Sequence, residues 1–114
     1  MKLLSIIAFL ICSFSCAAQE KTGVSLLVLG TAQDGGSPHV GCSKDCCSHL
    51  FILPDNTRKV VSLGIIDHNT QSTFLFEATP DLPAQLKQLQ RHSNSPLTAP
   101  NGIFLTHAHM GHYT

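Results

Sequence analysis

The sequence predicts a small α/β domain, and three observations carry that prediction. Apolar runs rich in leucine and β-branched residues occur at "VSLLVLGT" (24–31), "VVSLGIID" (60–67) and "STFLFEAT" (72–79). The apolar period then becomes helical in "DLPAQLKQLQRH" (81–92), and a last short run, "IFL" (103–105), reads as a strand again. The expected order is strand, loop, strand, strand, helix, strand.

The chain opens on "MKLLSIIAFLICSFSCAAQE", with one lysine, an apolar run over 3–12 and small residues up to Cys16-Ala17-Ala18. That pattern is a secretory signal peptide over residues 1–18, leaving 19–114 as the domain. The run is too short for a membrane span, which takes about 20 apolar residues. A second reading acylates Cys16 as a lipoprotein, although Ser13 lacks the branched apolar character expected three positions earlier. Export to the periplasm follows from either reading, and membrane contact only from the second.

The first strand, closed by Gly30, reads as a buried strand. The segment "AQDGGSPHVGCSKDCCSH" behind it, with Gly35, Gly36, Pro38 and Gly41, is a loop. The second and third strands flank the polar turn "HNTQ" and form a hairpin or two sequential strands. In the helix Leu82, Leu86 and Leu89 share one face. Asp81 suits its N-cap, Pro83 fits its first turn, and it should end near Arg91 and His92, before the breaker-rich "SNSPLTAPNG".

Seven Lys and Arg balance seven Asp and Glu, and no basic run tracks a phosphate backbone. Charge therefore gives no reason to expect a nucleic-acid partner. Of the five cysteines, Cys12 and Cys16 lie in the leader, so three remain. "HVGCSKDCCSH" packs His39, Cys42, Cys46, Cys47 and His49 together. Cys42, Cys46, Cys47 and His49 suit a structural metal, and a disulfide with one spare thiol is the alternative.

The chain's last run is "THAHMGHYT", with His107, His109 and His112 inside six positions. Alternate residues of an extended chain face one way, so His107 and His109 present their rings together, and a bend at Gly111 can return His112 to them. Neutral imidazoles suit zinc first, with iron or manganese as alternatives. The three histidines are therefore the candidate metal ligands, and no residue is assigned a catalytic role.

"LTHAHMGH" resembles the His-x-His-x-Asp-His signature of the metallo-β-lactamase fold, a four-layer αββα sandwich. The loop "LGTAQDGGSPHVGC" and the passage "FLFEATPDLPAQL" are similar to the branch containing the pyrroloquinoline quinone biosynthesis B proteins. The resemblance implies that His107 and His109 serve a first metal and His112 a second. Gly111 stands where the signature has aspartate, which removes a carboxylate and leaves open whether one metal binds or two. Asp34 and His39, in a loop that rims the site in this fold, are candidates to touch substrate or metal. Glu77, at a strand end where relatives carry aspartate, is expected to bond backbone near the motif.

That resemblance also implies a second half of the sandwich, with further His and Asp ligands. The chain is accordingly expected to be the N-terminal half of a longer exported metal-dependent hydrolase of a small-molecule substrate, inactive as it stands. The alternative is a small periplasmic metal-binding protein without catalysis.

Overall fold

The structure, a computed structural model, describes residues 21–93 and 99–113. The expected leader over 1–18, Cys16 included, lies outside the described residues. Among those described, no helix is long and apolar enough to cross a membrane.

Four strands form one sheet in the order β1-β2-β3-β4: β1 (Val24–Gly30), β2 (Ser62–Asp67), β3 (Ser72–Phe76) and β4 (Gly102–Phe104). β1 and β2 pair antiparallel, with Leu26 opposite Ile65, and β2 and β3 form an antiparallel hairpin, with Ile65 opposite Phe74. Its turn is held by Asp67, whose Oδ1 accepts from the backbone N–H groups of Asn69 and Thr70. The helix α1 (Leu82–Ser93) carries the chain across to β4, which runs parallel to β3. Parallel neighbours need such a crossover, so α1 is what brings the histidines to the end of β3.

The core lies between α1 and one sheet face. Leu29, Ile66, Leu75 and Leu89 are buried there, with Leu27, Leu82 and Leu86 packed against them. Burial of each such side chain contributes about 1.5–3 kcal/mol. Gly64 makes the close approach possible, because a Cβ there would lie 2.7 Å from Leu89 Cδ1.

The opposite face of the sheet is open, so β1, whose apolar run reads as a buried strand, is covered on one side only. Val24, Leu26 and Val28 of β1 are 68%, 65% and 58% exposed. Phe104 stacks on Phe76 at 5.2 Å between ring centroids and extends this apolar face across β3 to β4. One helix can cover one face only, so the described residues build two layers of structure.

The start of α1 also departs from expectation. Asp81 does not cap the helix with its side chain: Oδ2 accepts from Val60 N at 2.8 Å, and Oδ1 lies 3.5 Å from Lys59 Nζ. The buried Gln85 amide donates to Val60 O at 2.7 Å and accepts from the Thr79 hydroxyl at 2.8 Å. Val60 is buried just before β2, where unpaired backbone groups are costly, and these side chains satisfy both of its polar atoms.

Candidate metal centre

β4 ends at Phe104, and Thr106 to His112 curl over the end of β3 through a short 3₁₀ turn, Met110–His112. His112 O accepts from Ala78 N at 2.8 Å, and Phe104 O accepts from Glu77 N at 2.9 Å. The histidine segment is thus tied at both ends to the residues that follow β3.

One ring nitrogen from each of His107, His109 and His112 lies within 4.8 Å of the other two. His107 Nε2 faces His109 Nδ1 at 3.0 Å. Two donors on a tetrahedral zinc stand about 3.3 Å apart, so this pair is already near ligand spacing. The rings of His107 and His112 are 4.2 Å apart between centroids. His107 and His109 are exposed and His112 is buried, which gives an open site with one anchored wall.

Two of the remaining ring nitrogens face an oxygen. His107 Nδ1 lies 2.8 Å from Thr106 Oγ1, and His112 Nδ1 lies 3.0 Å from Glu77 Oε2. With His107 Nδ1 donating to the Thr106 hydroxyl, Nε2 of that ring is left as a lone-pair donor, while His112 Nδ1 faces the Glu77 carboxylate without a formed hydrogen bond. A carboxylate or hydroxyl behind a histidine is the arrangement that fixes ring and tautomer in metal sites. A set of imidazoles oriented in this way fits a divalent first-row ion.

Glu77 is the hinge of this arrangement. Its Oε1 accepts from Thr106 N at 2.9 Å, the backbone bond expected of it, while Oε2 reaches His112. Burial pushes its carboxyl up, but hydrogen bonds from Thr106 and the adjacent His112 outweigh that and leave it below the usual glutamate value. Its φ is +74°, a left-handed conformation uncommon for a side chain of this size. That backbone turn aims the carboxylate under the histidine segment, a role no local pattern announces.

Asp34 and His39 part company. Asp34 reaches the histidines, with Oδ2 3.9 Å from His109 Nδ1 and its Cβ against Gly111. His39 bonds Val40 O and lines a separate cleft with Cys42, Cys46 and Cys47. In the cysteine loop Cys42 and Cys47 are joined as a disulfide, Cys46 is exposed and free, and His49 Nδ1 turns to Asp45 O at 3.2 Å.

No protein-family model and no curated protein matches the chain. Solved structures do. A diphosphatase from the PhnP family matches with a TM-score of 0.53 and 23% identity, over 79% of this chain and 32% of its own. Zinc-bound PqqB from Methylobacterium extorquens matches with a TM-score of 0.57 and 24% identity, over 77% of this chain and 31% of its own. Both have the metallo-β-lactamase fold, and the likeness is one of fold. This chain spans about a third of the length of each.

Proposed function

We propose that this chain forms part of an exported, metal-dependent hydrolase of the metallo-β-lactamase superfamily, with His107, His109 and His112 as ligands and a small molecule as substrate. The observation that carries the reading is the cluster itself: three imidazoles within 4.8 Å, two of them backed by Thr106 and Glu77. Zinc is the first candidate, supported by imidazole chemistry and by the zinc in the PqqB structure, with iron and manganese behind it. A metal of this kind with an open position lowers the pKa of its water to about 7 and polarises the bond under attack. Glu77 and Thr106 hold the rings that would present it. Hydrolysis itself rests on analogy with the fold's other members.

The uncovered sheet face supports the four-layer sandwich. Val24, Leu26 and Val28 form an apolar surface that a second sheet would bury. In this reading that sheet and the remaining ligands come from sequence downstream of the histidines, and residues 19–114 alone do not turn over substrate. Export, and a mature N-terminus at Gln19, follow from the leader pattern in the sequence.

The test is metal content together with the reading frame. About one zinc or more per purified chain, lost in a His107→Ala, His109→Ala double variant, supports the reading, and a protein that takes up no zinc sinks it. An open frame past the codon for Thr114 that encodes further His and Asp at strand ends favours the hydrolase. A stop there favours a metal-binding protein without catalysis.

A further inference from the structure

Position 111 and Asp34 occupy one place in space. A Cβ built on Gly111 would lie 2.6 Å from Asp34 Cβ, 3.0 Å from Asp34 O and 3.2 Å from Asp34 Cα. Real Cβ atoms do not approach so closely, so no side chain fits at 111 while Asp34 stays where it is. The loop holding Asp34 is anchored on both sides. Ala32 bridges to Val60 with Ala32 N donating to Lys59 O at 2.8 Å, and Gly36 N closes a turn onto Gln33 O at 2.9 Å.

The carboxylate so placed faces the histidines. Asp34 Oδ2 is 3.9 Å from His109 Nδ1, the same ring atom that stands 3.0 Å from His107 Nε2. Two donors on a tetrahedral zinc stand about 3.3 Å apart, so Asp34, which lies outside the 4.8 Å set formed by the three histidines, has to close on His109 Nδ1 by roughly half an ångström to share an ion with it. Among the described residues no hydrogen-bond donor reaches the carboxylate, which leaves its oxygens free for a cation. A carboxylate beside imidazoles is also a donor set that a divalent first-row ion accepts.

We propose that Asp34 is a metal ligand on the His109 side of the site, delivering from the loop after β1 the carboxylate that position 111 lacks. The proposal rests on the metal reading of the histidines and extends it. The glycine is then the counterpart of the aspartate: it clears the space through which Asp34 enters.

The test uses the full-length protein and Co(II) or Zn(II) alone as the probe. Co(II) absorption reports coordination, and competition titration gives affinity. Asp34→Asn keeps the size of the side chain and is expected to weaken binding on the order of 100-fold and to change the Co(II) spectrum, with the circular dichroism unchanged. The double variant Asp34→Gly, Gly111→Asp moves the carboxylate across the contact and is expected to recover at least tenfold of that loss. Wild-type binding with an unchanged Asp34→Asn affinity and spectrum overturns the Asp34 assignment and leaves the histidine site intact. A wild-type protein that binds neither ion overturns both. If Asp34→Asn fails to fold, the double variant decides: wild-type-like binding supports the carboxylate, and its loss in a folded protein counts against it.

Discussion

Among the described residues two clusters bring three donor atoms equally close together, and they are built differently. His107, His109 and His112 offer donor atoms within 4.8 Å, and so do Cys42, Cys46 and Cys47. The histidines hang from the ends of two paired strands, and two of the rings are held from behind by Thr106 and Glu77. The cysteines sit in one local loop, two of them are spent on each other, and the third is exposed. Closeness is shared by both clusters; support from outside the cluster belongs to the histidines alone. Support is what holds donors in place when no metal is there to gather them.

The largest effect should come from removing that support. Glu77→Ala leaves Thr106 N without its acceptor, which costs about 1–3 kcal/mol, and also removes the carboxylate that faces the buried His112 Nδ1 at 3.0 Å. A total of about 3 kcal/mol, read by urea denaturation without metal, is expected. Little or no loss would mean that the histidine cluster is as loosely held as the cysteine loop.

Metal affinity separates the clusters more directly. His109→Ala should weaken zinc binding on the order of 100-fold, whereas Cys46→Ser should leave it unchanged within about twofold. The reverse ranking would move the metal to the cysteines. Reduction of the Cys42–Cys47 disulfide, which closes a loop of sequence separation 5, should cost roughly 2 kcal/mol of stability. It should not alter zinc affinity at the histidines. One additional equivalent of zinc appearing only after reduction would show that the loop switches between two chemistries, and the contrast would have to be redrawn.

How legible these two regions were in the sequence follows the same division. Strand and helix positions were visible because their signals are periodic and local: Leu82, Leu86 and Leu89 mark one face of α1, and observed Leu82–Ser93 overruns the expected end by a residue or two. The three histidines were visible because they are adjacent in the chain. What supports them was only partly visible. Glu77 meets His112, and Asp34 meets Gly111, across long stretches of sequence that only the sheet and the α1 crossover bring together. Asp81 holds the expected N-cap position, its O accepting from Gln85 N at 3.1 Å, but where its side chain goes was hidden for the same reason. Its local setting is that of an N-cap, but the buried backbone of Val60 is a more demanding partner.

The smallest effect isolates the backbone from the carboxylate at Glu77. Both Glu77→Ala and Glu77→Gly remove the bond to Thr106 and the contact with His112, so they share that loss. They differ in the left-handed conformation at φ +74°, which costs a residue with a Cβ about 1 kcal/mol and glycine almost nothing. Glycine also loses more freedom on folding, by roughly 0.5–1 kcal/mol where the backbone is ordinary, which works the other way. Glu77→Gly should therefore come out equal to Glu77→Ala or more stable by up to about 1 kcal/mol, whereas at an ordinary strand end it would be the weaker of the two. An alanine variant clearly more stable than the glycine variant would mean that residue 77 relaxes out of the left-handed region once the carboxylate is gone. Strain at that residue would then be a consequence of holding His112 and not a fixed feature of the turn, and the histidine cluster, not β3, would be what sets the conformation there.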